Sequence, residues 1–202
     1  MKLHGNKVGS NCRRVTIYLA EKGLDIELVE IDVALRQHKT AEFLAKNPAG
    51  LLPVLELDDG SYLPESSAIV EYLEDIHPQP SLLGATPQMR GKVRALERIA
   101  SDLAIVSGTM LQHSHPRFAS HIKQVPAVAE AMRANVSQQL AVLEKHIGEK
   151  QFLVTDRLTI ADITLFSFTQ AFAVRMDTNL TEGYPHLSAW YERFAKRPSA
   201  AF

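Results

Sequence analysis

Residues 47–78 read NPAGLLPVLELDDGSYLPESSAIVEYLEDIHP. Leu52 to Leu57 is apolar enough for a buried strand, yet Pro53 stands inside it. A trans proline there removes a ladder hydrogen bond, so such residues are mostly confined to edges and bulges. A cis Leu52-Pro53 bond is the other resolution. It would turn the Leu52 main chain outward, where its N–H and C=O could pair with an extended peptide ligand. Asp58-Asp59-Gly60 is a turn, and Ser61 to Leu63 can return as a hairpin partner. Ser67 to Ile76 then spaces Ile69, Val70, Leu73 and Ile76 as one helical face. Glu65-Ser66 stands just ahead of it, with Ser66 in the position of an N-cap. A helix N-terminus attracts a carboxylate and a neighbouring Glu65 attracts an ammonium, so the pair also suits an amino-acid zwitterion.

Upstream the chain alternates. Lys2 to His4 is a short strand candidate, followed by the loop GNKVGS and a helix from Asn11 to Lys22 that Gly23 ends. Asp25 to Val33 alternates apolar and acidic residues like a half-buried strand, and Thr40 to Lys46 is a short helix. Downstream, HPQPSLLG holds Pro78, Pro80 and Gly84, which stop a helix and loosen the chain. Pro87 to about Met110, Val125 to Ile147 and Pro185 to Lys196 are amphipathic helices. Thr159 to about Ala173 is apolar all round and reads as a buried helix. The expected architecture is α/β plus all-α, with a βαβαββα domain over 1–78, a linker over 79–86 and an all-helical domain over 87–202.

The 202 residues carry 22 basic and 23 acidic side chains, a net charge of −1. Residues 1–80 hold a net −5 and the remainder +4. No basic excess points to nucleic acid. The single cysteine cannot close an internal disulfide, which fits a reducing compartment. The first residues lack the apolar core of a secretory signal, so the expected location is the cytoplasm. No apolar run reaches the roughly 18 residues of a membrane span, and no Cys cluster suggests a metal site.

Ser10-Asn11-Cys12 falls where the first strand gives way to the first helix. The positive end of that helix would favour a thiolate. Cys12 could be the nucleophile, or Ser10 or Asn11 could stabilise a thiolate belonging to a ligand. Equally, Ser10 or Asn11 could simply cap the helix while Cys12 packs as a small apolar residue.

The strand-proline, the Glu-Ser opening a helix and the later LTIADITLF together resemble the cytosolic glutathione S-transferase family, over nearly the whole chain. The resemblance implies a thioredoxin-like first domain and the family's helical second domain. It implies that Leu52, before a cis Pro53, meets the cysteinyl part of glutathione, and that Glu65 and Ser66 hold the γ-glutamyl end. His38, nine residues before Asn47, is similar to a theta-class histidine that meets the glycine carboxylate, and Lys39 is a weaker candidate for that carboxylate. Asp102, in IASD, is similar to a zeta-class residue that reaches the partner subunit's glutathione; an exposed helix charge is the competing reading. Met110 and His113 are candidates for an electrophile pocket, which the early end of the chain after its last helix would leave open. Thr159 and Asp162 match the family's structural capping box.

The sequence also departs from the family. Leu51 stands where relatives often carry Lys, Arg or Gln, and Gly9 falls where several carry serine. Ser10 aligns with the cysteine of beta-class relatives and Asn11 with an activating asparagine of nu-class relatives, so no class is assigned. The implied activity is conjugation of glutathione, as co-substrate and without metal, to a small hydrophobic electrophile. Detoxification and a homodimer follow from the same resemblance. A glutathione-dependent thiol-disulfide reductase using Cys12 or glutathione is one alternative; a binding or regulatory protein without chemistry is another.

Overall fold

The structure, a computed structural model, describes residues 1–201 and divides into two compact units. The first comprises Met1–Ser81 together with residues 198–201; the second is Leu82–Arg197. The division after Ser81 lies within the expected 79–86 linker. The final residues, expected in the helical domain, group with the first unit.

In the first unit β1 (Lys2–Gly5), α1 (Ser10–Lys22) and β2 (Glu27–Glu30) form a parallel crossover, with Leu3 opposite Leu28. A 3-10 turn (Gln37–Lys39) and α2 (Ala41–Lys46) lead to the antiparallel hairpin of β3 (Val54–Glu56) and β4 (Tyr62–Pro64). α3 (Ser66–Ile76) closes the unit. The sheet order is β2-β1-β3-β4, so the hairpin adds to β1 on the side away from β2. β1 and β3 are central strands with consecutive residues buried, and their register partners Leu3 and Leu55 join Val15, Ile17, Ile69 and Leu73 in the core, the last four presented inward by the helical spacing of α1 and α3.

Two polar devices fix α1. At its C-terminus Gly23, with φ at 66°, lets the N–H groups of Gly23 and Leu24 bond the Ala20 and Leu19 carbonyls. The buried Lys22 ammonium meets Glu74 at 3.0 Å and also donates to the carbonyls of His77 and Pro80. Tyr18 donates its hydroxyl to the same Glu74 at 2.8 Å, so the buried charges are paired and hydrogen-bonded. Near the other end of α1, Arg13 donates to the carbonyls of Ala200 and Ala201 at 3.1 and 2.7 Å, holding these two residues against this helix.

The second unit contains α4 (Pro87–Ser114), α5 (Pro126–Ile147), α6 (Ile160–Met176) and α7 (Pro185–Ala195). α4 runs a turn beyond its expected end, to just short of Pro116. α6 is buried on every face from Ile160 to Phe172, as its apolar composition requires. Its start is organised by Asp162, which is wholly buried. One carboxylate oxygen accepts from Leu153 N–H at 2.8 Å and the Trp190 indole at 3.1 Å; the other accepts the Thr159 N–H at 2.9 Å and hydroxyl at 2.7 Å. The ring of Phe166 stacks on Phe194 at 4.1 Å beneath this network. Among the described residues no helix is long and apolar enough to cross a membrane.

Candidate active site

The start of α1 is prepared by the loop before it. Asn6 accepts the N–H groups of Val8 at 3.1 Å and Gly9 at 2.6 Å through its side-chain oxygen, which bends the chain from β1 into the helix. Gly9 occupies the capping position, but no side chain caps the helix and its first turn carries no acid. The first helical bond is Arg13 N–H to Gly9 at 2.8 Å. The N–H groups of Ser10, Asn11 and Cys12 therefore have no acceptor among the described residues, and the positive end of the helix is open.

Cys12 is 1% exposed, and its sulfur accepts the Asn6 N–H at 3.4 Å. Burial pushes the thiol up to about 11, against the pull of that N–H and with a smaller push from Glu30. Desolvation outweighs the helix terminus, so the thiol is neutral at physiological pH. Ser10 is half-buried and Asn11 exposed.

α3 opens similarly. The sequence placed Ser66 as its N-cap, but Glu65 takes that position and Ser66 is the first helical residue. The reason is the backbone: Glu65 has φ 70° and ψ 112°, a left-handed conformation costly for a residue with a Cβ. No side chain caps α3, and Ile69 N–H to Glu65 is its first helical bond. The N–H groups of Ser66 to Ala68 are without acceptors among the described residues. Instead of capping, the Ser66 hydroxyl, on a residue 4% exposed, lies 3.5 Å from Asn11 Oδ1. That contact brings the openings of α1 and α3 together. Glu65 itself is exposed.

The third part is the chain before β3. The Leu52-Pro53 bond is cis. Among the described residues nothing pairs with the N–H or C=O of Leu52. Gly5 joins this segment to α1: a Cβ there would lie 3.2 Å from the Cys12 sulfur and 3.6 Å from Pro53 Cβ. His38 sits in the 3-10 turn, its Nδ1 buried without a partner among the described residues; burial, then Lys39 and Arg36, depress its pKa. Lys39 donates to the carbonyls of Ala49 and Gly50 at 3.2 and 2.9 Å.

The remaining candidates lie in the second unit. Asp102 on α4 is partly exposed and pairs with Arg98 one turn earlier at 2.8 Å. Met110 is buried on α4. His113 accepts the Val125 N–H at 3.2 Å just before α5, and lines a cavity of about 350 Å³ with Gln124, Pro126 and Arg133. Among the described residues no three His, Cys, Asp or Glu side chains group as metal ligands. Asn6 and Asn47, which shape the two loops of the site, escaped the sequence reading. Their signals were an asparagine three residues before a helix-initiating glycine and another before Pro48.

Residues 3–81 match the N-terminal domain of the glutathione S-transferases, and residues 105–198 match their C-terminal domain. Glutathione S-transferase 2 of Saccharomyces cerevisiae is 30% identical over 98% of this chain and 87% of its own length. The chain belongs to the glutathione S-transferase family. A solved glutathione S-transferase domain-containing protein from Marinobacter aquaeolei VT8 superimposes with a TM-score of 0.86, at 35% identity over the full length of both chains. A glutathione S-transferase from Methylobacillus flagellatus KT, solved with glutathione bound, superimposes at 0.85 with 25% identity over 98% of this chain and 96% of its own. The two-unit fold of this transferase-family member is thus the family's, a thioredoxin-like sheet unit and a helical unit.

Proposed function

We propose that this chain binds glutathione in its first unit and transfers the glutathione thiolate to a small hydrophobic electrophile. The observation that carries the reading is the meeting of two uncapped helix starts, α1 and α3, at the Ser66–Asn11 contact. The glutathione-bound relative supports the choice of ligand.

The α-carboxylate of the γ-glutamyl group would bind Ser66 and the open N–H groups of α3, with its ammonium at Glu65. The cysteinyl N–H and C=O would pair with the free main chain of Leu52, beside Pro53, in one residue of strand addition. His38 would meet the glycine carboxylate as a neutral hydrogen-bonding group. The sulfur would then lie at the start of α1, where Ser10, Asn11 and the helix dipole favour its ionised form. Loss of the thiol proton to solvent gives the nucleophile. Its attack forms a C–S bond, and the electron pair leaves with a departing halide or moves onto an activated double bond. Holding both reactants together supplies the proximity.

The buried, protonated Cys12 sets the conjugation reading above a reductase that uses this cysteine. We read Asp102 as a surface charge satisfied by Arg98, Met110 as helix packing, and His113 as an acceptor for the Val125 N–H ahead of α5. A homodimer in a reducing cytoplasm is the setting proposed, and sedimentation of the purified protein tests the dimer. Conjugation of an activated aryl chloride tests the chemistry. Ser10→Ala and Asn11→Ala should each lower turnover while Cys12→Ala retains it. Parental activity that depends on Cys12 would favour the reductase.

A further inference from the structure

The loop that presents Leu52 is held by two side chains, and its hydrogen bonds can be followed group by group. In Ala49–Leu51 the main chain has six polar groups. Ala49 N–H donates to the Asn47 side-chain oxygen at 3.1 Å, and Gly50 N–H to the Asn47 carbonyl at 2.8 Å. The carbonyls of Ala49 and Gly50 accept from the Lys39 ammonium at 3.2 and 2.9 Å. The Leu51 carbonyl accepts from the Asn47 amide at 2.9 Å. Among the described residues only the Leu51 N–H is left without a partner, and Leu52 follows immediately with both groups unpaired.

The turn is shaped around the ammonium. Gly50 has φ 58°, and a Cβ on it would come 2.7 Å from Lys39 Nζ and 2.9 Å from the His38 carbonyl. A side chain there would push the ammonium away, so glycine suits both the backbone and the contact. Asn47 is buried with both ends of its amide engaged. An asparagine so satisfied holds one loop geometry.

We infer that Lys39 and Asn47 are positioning residues, which bind the carbonyls of Ala49, Gly50 and Leu51 so that Leu52, the one residue of this segment with both main-chain groups open, is presented to the cysteinyl part of glutathione. This gives Lys39 a task other than the glycine carboxylate, and it rests on the glutathione reading above. Two of the three ammonium protons are already directed at carbonyls. Freeing the loop lowers the fraction of molecules whose Leu52 is presented, and the apparent dissociation constant rises by the inverse of that fraction.

The test compares glutathione with its glycine monoethyl ester, which lacks the glycine carboxylate charge. Titration calorimetry gives dissociation constants for both ligands on the parent, Lys39→Met and Asn47→Ala. Positioning predicts that Lys39→Met weakens both ligands by a similar factor, on the order of tenfold if one loop in ten remains in place. The preference for glutathione over its ester then stays as in the parent. A loss confined to glutathione makes Lys39 a direct carboxylate ligand and overturns the inference, as does unchanged binding of both. Hydrogen exchange of the Ala49 and Gly50 amides, the two that are hydrogen-bonded, provides a ligand-free readout. It should quicken in Lys39→Met while β1 and β3 exchange as before, and unchanged exchange refutes the clamp. Asn47→Ala should act in the same direction. Should that buried change prevent folding, the exposed Lys39 still decides the matter. A parent that binds neither ligand refutes the glutathione reading and with it the presenting role.

Discussion

Asp162→Ala would remove the single acceptor group shared by four donors at the start of α6. Two of these are backbone N–H groups, of Leu153 and Thr159, and one is the Trp190 indole. None of the three can turn elsewhere, because the helix start and the packed ring fix them. Only the Thr159 hydroxyl can rotate. A buried donor deprived of its acceptor costs roughly 1–3 kcal/mol. Against this stands relief from burying a carboxylate, a group whose own desolvation is severe. The balance comes to about 3–5 kcal/mol, much of the stability of an ordinary domain. With a urea dependence of about 2–3 kcal/mol per molar, the unfolding midpoint should fall by roughly 1–2 M. Trp190 is the only tryptophan and lies inside the network, so its fluorescence reports the lesion locally while far-UV circular dichroism reports the helices. Asp162→Asn keeps one oxygen but sets an NH₂ against donors, and should fall between parent and alanine. A midpoint shift below about 0.5 M for the alanine variant, with unchanged slope, would refute the reasoning.

Burial raises the Asp162 carboxyl to about 6, against the pull of its donors. Its folded pKa thus exceeds its unfolded one, and folding takes up a proton between about pH 4 and 6. The stability this group confers is complete below that window and is lost as pH rises through it. The stability advantage of the parent over Asp162→Asn should therefore widen as pH falls from 7 to 4, and denaturation midpoints across that range check the sign. Cys12→Ala should cost about 1 kcal/mol from a small buried cavity and leave conjugation within about twofold of the parent; a tenfold fall in turnover would make the thiol a participant. Glu65→Gly should relieve the left-handed backbone at φ 70° and raise thermal stability by up to about 1 kcal/mol. The same change should weaken glutathione binding by removing the partner of its ammonium, and a variant that is both no more stable and binds equally well would contradict both statements.

The sequence displays the fold through periodicity. Ile69, Val70 and Leu73 mark α3, the turn at Gly60 marks the hairpin, and Thr159 with Asp162 marks the start of α6. What it leaves open are choices made by tertiary structure. Pro53 visibly conflicts with its strand, but either an edge position or a cis bond could resolve that conflict. Ser66 looks the better cap because propensity disfavours Glu65 in a left-handed conformation, and the structure adopts that conformation regardless. Burial of Cys12 depends on tertiary packing, with Gly5 of β1 brought close to its sulfur, so its raised pKa cannot be read along the chain. The docking of Ala200 and Ala201 on Arg13 joins residues nearly the whole chain apart, beyond any local pattern. The hydrogen bonds that occupy Lys39 likewise come from a turn ten residues on.

The central claim is that the paired openings of α1 and α3 form a glutathione site, and calorimetric titration of the parent and of Ser66→Ala with glutathione tests it most directly. The account predicts one glutathione bound per chain, and binding at least about tenfold weaker in Ser66→Ala, a change of about 1.4 kcal/mol. No binding to the parent, or equal affinity in the variant, would contradict it.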